Sequence, residues 1–218
     1  MQLIGPLYLN IKSRIKYDNS LSERFSCFIG APQGDCMSPF IFAMYVNDLE
    51  DYMSLNEFDG VDMGMLKLFL LLYADDIVLF AESECSLQNG LEIRFSYCEK
   101  WKLSVKVKKT NVMIFRKNGK ISKKVVFKYN GNPLEIVKQF TYLCISFSSG
   151  GSFQQTFDYI EGQALKAVLA LKQYLTVFKN ITISHTLELF DKLILPILNY
   201  GVKVWGFSEA ITRRKAAY

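Results

Sequence analysis

Asp75 and Asp76 are neighbouring carboxylates in the stretch 68–80, which reads LFLLLYADDIVLF. One apolar run leads into Tyr73-Ala74-Asp75-Asp76 and a second leads out of it. Paired oxygens of this kind can hold a divalent cation. Inside a core two such charges would be very costly, whereas at an exposed tip they are tolerated. Each flank has strand length and is rich in β-formers, so the simplest geometry is a hairpin with the acids at its apex. Side chains of adjacent strand residues point to opposite faces, which lets one Asp lead and the other assist. The same residues also read as a plain solvated turn, because Asp is common in turns.

Other catalytic chemistries are poorly supplied. His185 is the sole histidine of the 218 residues, which excludes histidine clusters, and its apolar and helix-forming neighbours point to a structural role. The five cysteines (Cys27, Cys36, Cys85, Cys98 and Cys144) are odd in number and form no C-x-x-C pair. They read as reduced, mostly buried thiols rather than a disulfide framework or a zinc site. The amino terminus lacks the basic and apolar regions of a signal peptide. The longest apolar stretch is broken by Lys67 and Asp75, far short of a membrane span. A soluble intracellular protein with no membrane partner is expected. Residues 1–100 carry 7 Lys/Arg against 15 Asp/Glu, a net of −8, and residues 101–218 carry 19 against 6, a net of +13. An acidic half bearing an Asp pair, joined to a basic half, fits a cation site beside a polyanion track.

The elements that must position these residues are mixed. Residues 1–24 read as a connecting helix and loop. Gly30-Ala31-Pro32-Gln33-Gly34 is a loop bracketed by glycines, and Ser38-Pro39 reads as a helix start with Ser as the cap. Phe42, Val46, Leu49 and Met53 recur at helical spacing, with Asp48, Glu50 and Asp51 on a solvated face. Residues 56–64 read as a loop. Ser86 reads as the cap of a helix striped by Leu87, Leu91, Phe95 and Cys98, which Gly90 weakens. Residues 103–115 alternate like a strand. Asn130-Gly131 signals a hairpin between 125–129 and 134–137, and 140–147 is an aromatic strand. Beyond Gly150-Gly151 the period becomes helical, with Ile160, Ala164, Val168, Leu171 and Leu175 on one stripe. Ser184 reads as the cap of a last helix, ended by Pro196. The fold class expected is α+β, with a mixed part over 1–150 and a helical part over 151–218.

In that order the pieces resemble the reverse transcriptases of non-LTR retrotransposons. GAPQGDCMSPFIFAMYVNDL, from Gly30, looks like the second palm motif, and YADD at 73–76 like the third, metal-binding one. CEKWKLSVKVKKTNVMIF, from Cys98, looks like the fourth motif, and FTYLCISF, from Phe140, like the primer grip. LFDKLILPILNYGVKVWGF, from Leu189, is similar to the thumb segment. A single short string is weak evidence; the ordered series is specific. The resemblance covers almost the whole chain.

The resemblance implies an incomplete polymerase palm, an antiparallel sheet backed by helices 38–53 and 86–102, followed by a small helical thumb. It implies an RNA-directed DNA polymerase that extends a primer 3′-hydroxyl, with two divalent ions (Mg²⁺ or Mn²⁺) clamping the reacting oxygens. Asp75 would be a metal ligand and Asp76 its auxiliary. Gln33 and Gly34 would line the nucleotide pocket, and Tyr73 would pack under the primer end. Lys109 is placed near the departing pyrophosphate, where a solvated lysine fits equally well. Phe140, Tyr142, Leu143 and Cys144 would form the primer grip. RNA template, DNA primer and deoxynucleoside triphosphates are the implied partners.

Departures from the family pattern set the remaining expectations. The family's first palm motif carries the other metal-binding Asp upstream of the Gly30 loop, and the only Asp there is Asp18, in Tyr17-Asp18-Asn19-Ser20. The resemblance implies that the fingers are missing as well. Pro32 stands where the family usually has Arg, Lys106 replaces Asn, Cys144 replaces a Gly and Lys203 replaces a Glu. A truncated polymerase, inactive alone and holding its metal weakly, is expected. The alternatives are a nucleic-acid-binding remnant, or one part of a longer active polyprotein. The missing first strand should leave an unprotected sheet edge and favour self-association.

Overall fold

The apolar runs that flank the acid pair form two antiparallel strands, as their strand length and β-forming residues lead one to expect. The structure, a computed structural model, describes residues 11–27, 30, 32, 34–116, 125–177 and 181–206. It divides into two units, Met1–Leu103 and Ser104–Tyr218. Helices combine with small, mostly antiparallel ladders, so the fold class is mixed α+β. No helix among the described residues is long and apolar enough to cross a membrane.

In the first unit, the helix expected within 1–24 is replaced over its described part by strands. β1 (Lys12–Ser13) pairs with β4 (Phe25–Ser26), and β2 (Lys16–Tyr17) pairs with β3 (Ser20–Leu21) around a turn holding Asp18 and Asn19. Residues 1–10 lie outside the described residues. The helix expected over 38–53 is two: α1 (Ser38–Tyr45) and α2 (Leu49–Leu55). Asn47 and Asp48 interrupt it, and both are residue types that compete with helical backbone bonds. Ser38 is not a cap: it is the first helical residue and its hydroxyl donates to the Pro32 carbonyl at 2.8 Å. Within 56–64, Val61–Asp62 forms β5, which pairs with β6 (Lys67–Leu68).

The chain then enters β7 (Leu70–Tyr73) and returns in β8 (Asp76–Leu79). Next comes α3 (Glu84–Lys100), capped by Ser83, whose hydroxyl accepts from the Ser86 amide at 3.1 Å. Ser86, the cap expected, instead donates to the Asp59 carbonyl at 2.7 Å. The core of this unit is Leu49, Met53, Phe58 and Tyr97, with Leu70, Ile77 and Leu79 of the hairpin packed against it. Instead of one shared sheet, β7 and β8 form a ribbon of two strands. Its inward side chains are held by α2 and α3 rather than by neighbouring strands, which explains how two strands suffice.

The second unit starts with a tight turn of helix at Val107–Lys109 and β9 (Asn111–Met113), where a longer alternating strand was expected. β10 (Lys128–Tyr129) and β11 (Asn132–Pro133) close on Asn130-Gly131 as the sequence predicts. The following segment leaves that hairpin: β12 (Glu135–Val137) pairs in parallel with β9. β13 (Gln139–Tyr142) and β14 (Ile145–Ser148) form an antiparallel hairpin. Four helices follow: α4 (Gln154–Val177), α5 (Ile183–Leu193), α6 (Leu195–Leu198) and α7 (Val202–Trp205). Thr182, not Ser184, caps α5: its hydroxyl accepts from the His185 amide at 3.3 Å and lies 2.6 Å from His185 Nδ1. The α4 stripe buries Ile160, Ala164 and Leu171, whereas Val168 is exposed and Ala167 packs in its place. All five cysteines are free, and only Cys98 is buried. The other four lie on loops, turns or a helix end, where little apolar surface surrounds them.

Candidate functional site

Four-residue strands facing each other in register bring the acid pair to the very tip of the ribbon. Leu70 faces Leu79, Leu71 faces Val78, Leu72 faces Ile77 and Tyr73 faces Asp76, which leaves Ala74 and Asp75 as the two-residue turn. Ala74 takes a left-handed backbone (φ 51°), the first position of a tight hairpin turn where glycine is favoured. Tyr73, Asp75 and Asp76 are all exposed, and they sit together because the register allows nothing else. Leu71 and Leu72 are also exposed, while Leu70, Ile77 and Leu79 point inward and fasten the ribbon. The tip therefore projects two carboxylates from a base anchored in the core.

The base has a polar component that sequence reasoning missed. Asp48, assigned to a solvated face, is half-buried and accepts a hydrogen bond from the Tyr97 hydroxyl at 2.6 Å. Burial, and then this bond, push the Tyr97 phenol well above its usual range. A Tyr at a buried helix position with an Asp at a preceding helix start is the signal that could have revealed it. Tyr97 also stacks edge-on against Tyr52, with ring centroids 5.3 Å apart, and Lys100 lies 5.3 Å from the centre of the Tyr52 ring.

The other residues of interest fall in three places. Gly34 lies on the exposed loop before α1 with φ 91°, a conformation that suits glycine alone. Gln33 lies outside the described residues. Lys109 is exposed at the end of the tight turn in the second unit, beside the exposed Lys106 and Lys108. Phe140 and Tyr142 belong to β13, and Leu143 and Cys144 form the turn of the β13–β14 hairpin, both left-handed (φ 48° and 62°). Asn130-Gly131 makes the same kind of turn in the same unit (φ 48° and 75°) with residues suited to it. The Leu143 carbonyl accepts from the Tyr200 hydroxyl at 2.8 Å.

Among the described residues, no group of three or more His, Cys, Asp and Glu side chains could hold a metal ion. Asp18, at the β2–β3 turn, joins no such group. A two-metal clamp needs carboxylates reaching two ions from more than one direction. Two exposed acids on one tip do not complete that arrangement, so the described residues do not fit the full clamp.

The pattern of the family described as reverse transcriptase (RNA-dependent DNA polymerase) matches residues 3–147. Two proteins of Drosophila melanogaster are similar over nearly the whole chain. The RNA-directed DNA polymerase from mobile element jockey is 22% identical over 217 residues, covering 93% of this chain and 23% of that protein. The probable RNA-directed DNA polymerase from transposon BS is 24% identical over 200 residues, covering 89% of this chain and 22% of that protein. The chain belongs to the reverse transcriptase family, and within it to the non-LTR retrotransposon kind. It spans less than a quarter of the length of these two relatives. Members of the family use divalent metal ions and act on an RNA template, a DNA primer and deoxynucleoside triphosphates.

Proposed function

We propose that this chain is a reverse-transcriptase fragment carrying half of a metal cradle, and that it does not add nucleotides on its own. The observation that carries this reading is the Asp75–Asp76 tip on a core-anchored ribbon, in a member of this family, with no third acidic group beside it among the described residues. On this reading residues 1–150 are a partial palm and 151–218 a helical thumb. Asp75 is the metal ligand, for Mg²⁺ or Mn²⁺, and Asp76 supports it. Tyr73 packs under the primer end, Gln33 and Gly34 line the nucleotide pocket and Lys109 lies near the pyrophosphate. Phe140, Tyr142, Leu143 and Cys144 form the primer grip. Losing part of a preorganised electrostatic clamp removes orders of magnitude of rate.

Primer extension tests this directly, with purified protein, an RNA template, a DNA primer, nucleotides and Mg²⁺ or Mn²⁺. Extension no greater than in a protein-free control is expected. Robust nucleotide addition would overturn the claim of inactivity. An apolar strand with an Asp, encoded upstream of Met1 in the transcript, would instead supply the third ligand from a longer polypeptide.

A second reading, retained nucleic-acid binding, is favoured by charge. The unit from Ser104 onward carries 18 Lys/Arg against 6 Asp/Glu, a net of +12. Lys106, Lys108 and Lys109 are all exposed at its start. Binding to an RNA–DNA duplex should then weaken steeply as salt is added, because releasing the duplex's counterions on binding gains less in a more concentrated salt solution. Binding that is absent, or indifferent to salt, would eliminate this reading.

A further inference from the structure

The segment Asn199-Tyr200-Gly201-Val202-Lys203-Val204-Trp205 has no role in the site described above, yet it meets the hairpin turn of β13–β14 at two points. Tyr200 is 47% exposed, so its hydroxyl is not needed for packing, and it nonetheless donates to the Leu143 carbonyl in the middle of the turn at 2.8 Å. Gly201 adopts φ 65°, and a Cβ there would lie 2.6 Å from Ile145 Cδ1 and 3.2 Å from Cγ1. The Ile145 side chain, first residue of β14, thus occupies the space that the absent Cβ leaves free. Trp205 holds this segment in place: its indole N–H donates to the Tyr200 carbonyl at 2.7 Å, and its ring packs edge-on against Phe157 at 4.9 Å. On the other side of the hairpin the fully buried Thr156 accepts from the Ser146 amide at 2.9 Å and donates to the Ser146 carbonyl at 3.0 Å.

A turn built from Leu143 and Cys144 needs such support. Both residues are left-handed, a conformation that strains any side chain beyond Cβ-free glycine. A bond to the central carbonyl favours the strained form over its open alternatives. We infer that Tyr200 and Gly201 are positioning residues: they hold the Tyr142–Ile145 turn in the conformation that presents the hairpin to a primer end. The inference rests on the reading of Phe140, Tyr142, Leu143 and Cys144 as a primer grip.

The test uses the full chain and the variants Tyr200→Phe, Cys144→Gly and the two combined. Amide hydrogen exchange of the peptide spanning β13–β14 reads the clamp itself. Tyr200→Phe should speed it about five-fold, what one neutral hydrogen bond is worth, while the α3 peptide of the first unit exchanges unchanged. Binding to an RNA–DNA duplex with a recessed primer end, compared with a blunt duplex of equal length, reads the function. Tyr200→Phe should narrow the preference for the recessed end, and adding Cys144→Gly should restore it, because glycine takes the left-handed form unaided. Exchange equal to wild type in Tyr200→Phe would overturn the clamp. Faster exchange with an unchanged preference, or no preference in the wild type, would overturn the primer-grip reading and leave the clamp standing. If Tyr200→Phe does not fold, Cys144→Gly alone decides: slower exchange of the hairpin peptide supports the strained turn, and unchanged exchange refutes it.

Discussion

Replacing Gly90 by Ala should destabilise the protein, against the usual direction for an interior helix glycine. Gly90 lies in the middle of the 17-residue α3, where Ala is ordinarily favoured by about 1 kcal/mol. Here the position is buried under the ring of Phe58, which is itself 6% exposed. A Cβ would stand 2.6 Å from Phe58 Cζ and 2.8 Å from Cδ2, and closer still to Cε2. The ring cannot swing away freely, because it packs edge-on against Phe69 with centroids 6.2 Å apart and belongs to the core with Leu49, Met53 and Tyr97. Forcing a methyl into such a core costs about 1–3 kcal/mol. Set against the propensity gain of about 1 kcal/mol, the net loss should be about 1 kcal/mol. In a chain of 218 residues this lowers the melting temperature by about 2–4 °C. Urea denaturation of Gly90→Ala, Phe58→Leu and the double variant isolates the contact. The smaller side chain makes room, so the double variant should be more stable than the sum of the singles implies, by at least about 0.5 kcal/mol. A higher midpoint for Gly90→Ala, or strictly additive losses, would refute the steric argument.

Three further outcomes follow from the same geometry. Tyr97→Phe leaves the Asp48 carboxylate without its 2.6 Å donor and should cost about 1–3 kcal/mol, read by urea denaturation. Because Tyr97 titrates above its usual value in the folded state, its contribution is fully present below about pH 10 and is lost as pH rises beyond that value. Phenolate absorbance should therefore show one tyrosine ionising only with alkaline unfolding, and Tyr97→Phe should abolish that step. Thr182→Ala removes the acceptor at the start of α5 and should cost about 1 kcal/mol with a loss of helical circular dichroism. Asp75→Asn changes an exposed turn residue and should leave stability within about 0.5 kcal/mol of wild type, and a larger loss would mean that the acid supports the turn.

What was legible in the sequence is what local pattern determines. Two apolar runs of strand length specified the β7–β8 ribbon and set Asp75 and Asp76 at its tip. Asn130-Gly131 specified its own hairpin, because two left-handed positions in a row select those residues. Leu49 and Met53 of the expected stripe mark the buried side of α2, and Val46 is buried just past α1, whereas α1 itself buries no residue fully and its stripe residue Phe42 is only half-buried. The helix starts were misjudged by two or three residues at Ser83 and Thr182, since neighbouring hydroxyl residues offer the same cap and only the backbone geometry selects one. The parallel pairing of Asn111–Met113 with Glu135–Val137 had no local signal, because it depends on a contact more than twenty residues distant in sequence. The role of Asp48 was hidden for a related reason: its partner, Tyr97, is 49 positions away.

Three tight turns in this one chain separate two sources of backbone strain. Asn130-Gly131 makes a left-handed pair with residues suited to it, and it lies in no proposed site. At the acid tip, Ala74 is left-handed inside the Tyr73–Asp76 motif that the family resemblance identifies with metal binding, so strain there goes with the placing of the carboxylates. At 143–144 no acid is present, and two side-chain-bearing residues in a row, Leu143 and Cys144, are left-handed. Glycine would reach φ 62° at no steric cost, whereas a cysteine pays about 1 kcal/mol or more in the same place. The first strain lies beside the two acids; the second is spanned by the Tyr200 hydroxyl, which donates to the Leu143 carbonyl. A strained turn that is clamped from outside is a weaker platform than one that forms unaided. On the proposed reading, a turn held in this way and an acid tip with no third acidic group beside it among the described residues both weigh against nucleotide addition by this chain unaided.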